Sequence, residues 1–176
     1  MDRGEIVRYL TALADGLARR GIRGELYLVG GAALALAYDA RRATRDVDAV
    51  FAPKEEIYQV AREVAAEFGL PQGWLNDAVK GFLSGPDREA VPVLDLPGLR
   101  VLAASPRYLL AMKCLAARRE DEEDIRFLLA HLGVTDAGQA LDVVLAVYPA
   151  ARLLPRTRFM LEEIFQTGLN DLHNER

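Results

Sequence analysis

Two hydrophobic periodicities alternate along the chain, and their alternation predicts a mixed α/β protein. Near the amino terminus, apolar residues recur every three or four positions, which is the spacing of one helical face. These positions are Ile6, Leu10, Leu13 and Leu17. Asp2 and Glu5 lie three residues apart just before this run, which is the pattern of a capping box. We therefore predict a first helix that begins near Asp2 and covers a sheet.

A short apolar segment over residues 26–29 is bounded by Gly24 on one side and by Gly30 and Gly31 on the other. Its length and boundaries favour a buried strand over a helix. Adjacent glycines let the backbone turn sharply and approach a ligand closely, because neither carries a Cβ. Residues 32–38 should form a helix whose free N–H groups suit a phosphate. A glycine pair between a strand and a helix is also common in turns that bind no ligand. An anion site and a simple turn therefore both remain as interpretations.

A second apolar segment carries Asp46 and Asp48, with Val47 between them and Ala49 and Phe51 after them. In an extended strand the two aspartates would share one face, about 7 Å apart. Carboxylates this close repel each other, and a cation relieves the repulsion. Oxygen ligands of this kind suit Mg²⁺, which takes one or two protein carboxylates and substrate phosphates. The alternative is an exposed edge strand with two surface aspartates, and the apolar flanks argue against it.

The middle of the chain predicts one helix and one hairpin. Residues 54–68 place their apolar positions along one face, which is typical of an amphipathic helix. Two extended stretches, residues 91–96 and 99–103, are separated by the turn dipeptide Pro97-Gly98 and should form a hairpin added to the sheet. Between the helix and the hairpin, we predict a short helical segment that begins near Trp74. The Trp74 side chain would pack in the core or stack on a base.

The carboxyl-terminal third predicts helices. Ser105 and Pro106 form a helix start, and if that helix ran unbroken, Lys113 and Asp124 would share a face because eleven residues make about three turns. Asp121 would lie about 80° round from Lys113. The Lys113 ammonium lies among apolar neighbours, so it either reaches out to solvent or binds an anionic partner. Two further helices follow the first. One extends from a Thr135 cap through Val147, and the other covers residues 156–172.

Composition narrows the class of protein. The 176 residues fit one domain, or a small catalytic domain with a helical appendage, and 51% hydrophobic with 27% charged residues is ordinary for a globular protein. A net charge of −4 argues against strong overall attraction to nucleic acid. The single cysteine, Cys114, fits a reducing compartment.

The start of the chain does not have the pattern of a secretory signal, and the apolar runs along the chain are too short to span a bilayer. We therefore expect a cytoplasmic location without a membrane partner.

The glycine pair and the aspartate pair together resemble the signature of the polymerase-β-type nucleotidyltransferase superfamily. In that superfamily a strand-turn-helix carries Gly-Gly or Gly-Ser, and the next strand carries Asp-x-Asp. The segments Gly-Gly-Ala-Ala-Leu and Arg-x-Thr-x-Asp-x-Asp are most similar to the minimal AbiEii-type enzymes, which are toxins of bacterial toxin–antitoxin and phage-defence pairs. Residues 110–129 are similar to the Lys...Arg...Asp-x-x-Asp helix of the same group. The matches span roughly residues 26–130.

The resemblance implies a fold and a division of the chain. The fold would be a nucleotidyltransferase fold, with a small mixed sheet flanked by helices and with carboxyl-terminal helices packed on it. Residues 1–104 would be the catalytic core. Residues 105–176 would be a helical region that carries Lys113, Asp121 and Asp124.

The resemblance also implies a Mg²⁺-dependent reaction that moves a nucleoside monophosphate from an NTP, such as ATP, to an acceptor and releases pyrophosphate. The implied catalytic residues are Asp46, Asp48, Lys113 and Asp124. The implied nucleotide-binding residues are Gly30, Gly31, Arg42, Thr44, Lys113 and Asp121. Two Mg²⁺ ions would be held by Asp46 and Asp48, with Asp95 as the candidate third carboxylate. Asp95 lies two residues before Pro97, however, so a turn-capping role is the alternative.

The sequence leaves several acceptors for the nucleotide possible. By resemblance the acceptor would be a tRNA 3′ end or a partner protein, and a cognate antitoxin would bind the enzyme. One alternative is adenylylation of a small molecule such as an aminoglycoside. Another is a nucleotide-binding or interaction protein that keeps the fold without turnover, which the intact Asp46 and Asp48 argue against.

Overall fold

A computed structural model describes residues 1–38 and 43–174, with side chains described through residue 167. Packing divides the chain into two compact units. The first comprises Met1–Leu83 with Arg88–Ala104, and the second comprises Ser84–Asp87 with Ser105–Arg176. The predicted domain boundary after residue 104 concerns catalytic function, which packing alone does not test, so it stays a prediction.

The first unit is built on a mixed sheet that has five strands among the described residues. The strands are β1 (Gly24–Leu28), β2 (Val47–Ala52), β3 (Leu75–Asn76), β4 (Val91–Leu96) and β5 (Leu99–Ala103). Their spatial order is β3-β2-β1-β5-β4. β1 pairs antiparallel with β2 and parallel with β5, while β3 is parallel to β2 and β4 is antiparallel to β5. The mixed α/β fold class is therefore confirmed.

One face of this sheet forms the core. Leu26 and Leu28 of β1 are buried beside their β2 partners Phe51 and Ala49, whereas Tyr27 between them is only half-buried. The helices α1 (Arg3–Ala18) and α3 (Lys54–Phe68) pack against each other, and α1 also contacts β5 while α3 contacts β2. The alternation of buried and less buried positions is what a strand with one covered face requires.

Several local predictions in this unit are confirmed. Asp2 accepts a hydrogen bond from the Glu5 amide, and Glu5 accepts one from the Asp2 amide, both at 2.9 Å, so the capping box starts α1. The hairpin has its predicted bounds, and α3 has its predicted length. The helix after β1 differs from its prediction in detail. Helix α2 (Gly30–Ala33) starts two residues earlier than predicted and continues as a π-helical turn over Leu34–Tyr38.

The segment around Trp74 differs from its prediction. A two-residue strand, β3, follows Trp74 instead of a helical piece, and a short 3₁₀ turn comes only after it, over Ala78–Phe82. The Trp74 side chain is buried, and its indole N–H donates to the Ala61 carbonyl at 2.9 Å. Tertiary packing of the tryptophan therefore overrides the local pattern, and the core-packing interpretation of Trp74 is the one observed.

The second unit is helical. Its helices are α4 (Pro106–Ala116), α5 (Glu122–His131), α6 (Ala137–Val147) and α7 (Pro155–Asn174). Helix α4 contacts α5, α6 and α7, so it lies at the centre of the bundle. The Ser105 hydroxyl caps α4 as predicted, by accepting a hydrogen bond from the Tyr108 amide.

Two predictions in this unit are wrong. The single helix that the resemblance implies over residues 110–129 is interrupted, because Ala117 adopts a left-handed conformation (φ 47°) and a 3₁₀ turn precedes α5. Asp136, not Thr135, caps α6, since its carboxylate accepts a 2.9 Å hydrogen bond from the Gln139 amide. Through residues 1–38 and 43–174, no helix is both long and apolar enough to cross a bilayer.

Candidate functional site

The glycine turn lies directly beside Asp48. The Val29 amide donates to the Asp48 carbonyl at 3.0 Å, so the chain enters the turn while it is still paired with the start of β2. Gly30 has φ of +60°, in the left-handed region that favours glycine. A Cβ at Gly30 would lie 3.3 Å from Asp48 Oδ2. The missing side chain thus allows the backbone of the turn to lie close to a carboxylate.

Gly31 packs against Thr44. A Cβ at Gly31 would lie 2.8 Å from Thr44 Oγ1 and 2.9 Å from Thr44 Cβ, which is too close for ordinary contact. The Thr44 hydroxyl donates to the Asp46 carbonyl at 2.9 Å. Thr44 therefore braces the segment that leads to Asp46 against the glycine turn. Its predicted contact with a nucleotide stays a prediction.

The two aspartates lie at the start of β2. β2 begins at Val47, so Asp46 immediately precedes the strand instead of lying within it. Val47 and Ala49 are fully buried, whereas Asp46 and Asp48 are half-buried. Within the strand, alternation directs the Asp48 side chain away from the core. Strand geometry does not set the direction of Asp46, whose carboxylate is instead placed by a contact with Asn76.

Asn76 extends this group, and sequence reasoning gave it no chemical role. β3 pairs in parallel with β2, and the partner of Asp48 in this register is Asn76. The Asn76 side-chain amide donates to Asp46 Oδ2 at 3.5 Å, a long hydrogen bond. A two-residue strand is too short to show a periodicity, so only the packing of Trp74 before it could have signalled its place.

Asp77, the next residue, is held by three donors. Lys54 Nζ lies 2.6 Å and Lys80 Nζ 3.2 Å from its carboxylate, and the Tyr58 hydroxyl donates to it at 2.7 Å. The hydrogen bond from Lys54, followed by the one from Tyr58, holds the pKa of Asp77 well below its usual range. Hydrogen bonding to Asp77 raises the pKa of Lys54, and burial raises that of Tyr58. At neutral pH, Asp77 and Lys54 therefore form an ion pair, and the neutral Tyr58 hydroxyl donates to it.

Asp95 does not join the aspartate pair. β4, which carries it, is at the opposite edge of the sheet, with β1 and β5 between it and β2. At about 4.8 Å per strand, β4 lies about 14 Å from β2. The Asp95 carboxylate instead accepts from Arg23 Nη2 at 2.6 Å and is two-thirds exposed. The physical reason is the parallel pairing of β5 with β1, which places the hairpin at this far edge.

The remaining predicted residues fall into two groups. Arg42 lies outside the described residues. Within the second unit, the Lys113 ammonium lies 2.6 Å from Asp121 Oδ1 and 2.7 Å from Asp124 Oδ2. The three side chains are only 11%, 16% and 16% exposed, respectively. This ion-pair cluster joins α4 to α5 across the break between them. The predicted roles of Lys113, Asp121 and Asp124 with a nucleotide stay predictions.

Two observations concern metal binding and nucleophilic attack elsewhere among the described residues. Among the side chains described, those of residues 1–38 and 43–167, no group of three or more His, Cys, Asp or Glu is placed to hold a metal ion. Burial raises the pKa of Cys114 to about 12, so this thiol is not ionised at neutral pH and is unsuited to nucleophilic attack. Neither observation adds a metal or nucleophile site among the described side chains, so the aspartate pair beside the glycine turn is the candidate site.

The fold and the site together indicate a class of protein. A mixed sheet flanked by helices, with a Gly-Gly turn against an Asp-x-Asp pair, is a nucleotidyltransferase-like fold. The chain belongs to the family described as "Nucleotidyltransferase of unknown function (DUF6036)", whose model matches residues 7–131. No curated protein and no solved structure matches the chain. The matched range contains the glycine turn, the aspartate pair and Asn76.

Replacing Gly31 with Ala should distort the turn. The new Cβ would lie within 3 Å of Thr44, whose own Cβ is fixed to the backbone, so the turn or the Thr44 segment must shift. We expect a loss of about 1–3 kcal/mol in unfolding free energy, which denaturant and thermal unfolding would measure. Gly73→Ala is the control, because its Cβ would meet nothing within 4 Å. Equal behaviour of the two variants would contradict the tight packing of the turn.

Proposed function

We propose that the protein transfers a nucleoside monophosphate from an NTP to an acceptor and releases pyrophosphate. The observation that carries this proposal is the approach of the Gly30 backbone to the Asp48 carboxylate, with Asp46 and Asn76 beside it. A turn without side chains can receive phosphates, and carboxylates next to it can hold the cation that neutralises them. Membership of a nucleotidyltransferase family supports the same general activity.

The donors around the aspartate pair fit Mg²⁺. Asp46 and Asp48 offer hard oxygen ligands, and Mg²⁺ commonly takes one or two protein carboxylates and completes its shell with water and substrate phosphates. In the proposal these two residues hold the expected two ions together with the triphosphate. Bound there, Mg²⁺ would neutralise charge on the attacking and leaving oxygens. The chain's own contribution is to place the carboxylates beside the turn and to keep the turn open.

Residues outside this pair have proposed supporting roles. Arg42 would add positive charge for the triphosphate. Lys113 would contact nucleotide phosphates, and Asp121 or Asp124 would orient the site. The observed ion pairs of Lys113 with both aspartates leave it a strongly bound cation, so a nucleotide would have to share it with those carboxylates.

The acceptor and the biological setting are proposed from resemblance. The AbiEii-like motifs favour a toxin of a toxin–antitoxin or phage-defence pair, acting in the cytoplasm on a tRNA 3′ end or on a protein and bound by a cognate antitoxin. A nucleotide-binding protein without turnover is the second candidate. It is favoured by the position of Asp95, which leaves the aspartate pair without a third carboxylate among the described side chains.

Transfer of label tests the proposal. Purified protein with Mg²⁺ is incubated with each of the four α-labelled NTPs, in the presence of total tRNA. We expect label from one NTP on tRNA or on protein, dependent on Mg²⁺ and lost in Asp46→Asn and Asp48→Asn variants. Absence of label from every NTP, with NTP binding still measurable, would contradict turnover on these acceptors and favour the second candidate.

A further inference from the structure

We propose that Asn76 is a third member of the site formed by Asp46 and Asp48, and that Asp77 holds it there. Asn76 would act as a positioning residue for the Asp46 carboxylate. It would also keep the charge of the group low, so that the site takes its divalent cation as a complex with a nucleoside triphosphate. This inference rests on the proposed function, because it concerns the same site.

The placement of Asn76 is set by the sheet. Asn76 is the register partner of Asp48, and neighbouring strands lie about 4.8 Å apart, so the two side chains stand on the same face as nearest neighbours. The Asn76 amide N–H also reaches Asp46 Oδ2 at 3.5 Å. Its carbonyl oxygen accepts a hydrogen bond from the Ala78 amide at 3.1 Å, which fixes the orientation of the side chain. One amide thus lies beside both carboxylates.

Asp77 explains how so short a strand keeps its place. β3 has two residues, which provide little backbone pairing of their own. Asp77, the next residue, lies outside the strand, with φ of −112° and ψ of 25°. Its carboxylate binds Lys54 and Tyr58 of α3, at 2.6 and 2.7 Å. These contacts attach the end of β3 to α3 and hold Asn76 beside the aspartate pair.

The neutral amide sets the charge of the group. Asp46 and Asp48 contribute two negative charges, and a carboxylate at position 76 would make three. Coulomb attraction for a divalent cation grows with each added negative charge nearby, so two carboxylates with an amide attract a bare cation less than three carboxylates would. A triphosphate brings further oxygen ligands and negative charge of its own, which completes the coordination.

Adding a carboxylate at position 76 tests this charge argument with Mn²⁺ alone. The free-ion electron paramagnetic resonance signal gives the affinity. We expect Asn76→Asp to bind Mn²⁺ at least about 10-fold more tightly than the wild type, because a third negative charge lies next to the pair. Gln72→Asp is the control, since it adds the same charge at an exposed position shortly before β3. Equal Mn²⁺ affinity of the two variants would overturn the assignment of Asn76 to the site.

Removing the Asp77 carboxylate tests the positioning role of Asn76. Asp77→Asn should weaken Mg·ATP binding by about 5- to 10-fold at a temperature where circular dichroism shows the fold intact, because Asn76 is no longer held. Glu63→Gln is the matched control, since it breaks another ion pair of α3, with Arg20 at 2.6 Å. If Asp77→Asn lowers only the melting temperature and leaves Mg·ATP affinity unchanged, the positioning role is refuted.

These tests separate the inference from the proposed function. If Asn76→Asp gains Mn²⁺ affinity but the wild type transfers no label, the placement of Asn76 stands and the proposed activity fails. If the wild type transfers label and Asn76→Asp binds Mn²⁺ like Gln72→Asp, the activity stands and the inference about Asn76 fails.

Discussion

Substituting Asn for Asp48 should reduce nucleotidyl transfer by about 10³-fold or more while leaving the fold intact. The substitution removes one negative charge at nearly constant shape, and the Asp48 carboxylate lies against the Gly30 backbone at the centre of the candidate site. A charged group at the reacting centre typically contributes two to three orders of magnitude or more to the rate. Initial rates of label transfer from the preferred NTP provide the measurement.

The same variant should keep its fold. Asparagine has nearly the shape of aspartate, so we expect a circular dichroism spectrum like that of the wild type. Asp15→Asn serves as the control, because Asp15 is exposed on α1 and its side chain has no place in the site. Unchanged transfer by Asp48→Asn would refute the assignment of the aspartate pair.

Substituting Met for Lys113 should destabilise the second unit by about 3 kcal/mol. The ammonium lies between Asp121 and Asp124 at 2.6 and 2.7 Å, and all three side chains are largely shielded from water. Methionine keeps the length and the apolar stem of lysine but leaves two neighbouring carboxylates without their cation. For a chain of this size, the loss corresponds to a fall of about 6–12 °C in melting temperature.

Neutralising the carboxylates should recover that loss. In the triple variant Lys113→Met, Asp121→Asn, Asp124→Asn, no charge is left in the cluster, and we expect most of the stability to return. This variant also separates structure from function. A well-folded triple variant with wild-type nucleotide affinity would refute the proposed nucleotide contact of Lys113. An unchanged melting temperature of Lys113→Met would refute the stabilising role of the ion-pair cluster.

Elements with a strong local signal could be predicted from the sequence. Helix α3 has a regular apolar face, α1 and α4 have side-chain caps, and Pro97-Gly98 marks the hairpin turn. The glycine turn and the aspartate pair were also predictable as neighbours, because the turn directly follows β1 and the pair lies at the start of β2, the next strand. Each of these signals depends only on residues close together in the chain.

Other features depend on partners far away in the chain. The place of β3 is set by Trp74 and by the bonds of Asp77 to α3, none of which gives a local pattern. The distance of Asp95 from the aspartate pair follows from which edge of the sheet the hairpin joins. The break at Ala117 keeps Lys113 close to Asp121 and Asp124 without the continuous helix that the resemblance implied. Strand order and helix breaks of this kind require the tertiary structure.

The pairing of β1 with β5 determines where the chain can be cut. The glycine turn, the aspartate pair and Asn76 all lie within the first 76 residues, yet β1 depends on β5 for its second hydrogen-bonded edge. A fragment that ended before the hairpin would expose that edge and the apolar side chains of Leu26 and Leu28, which are now buried. Such a fragment should aggregate through strand pairing instead of folding. The shortest expressible form that preserves the site therefore extends at least through Ala103.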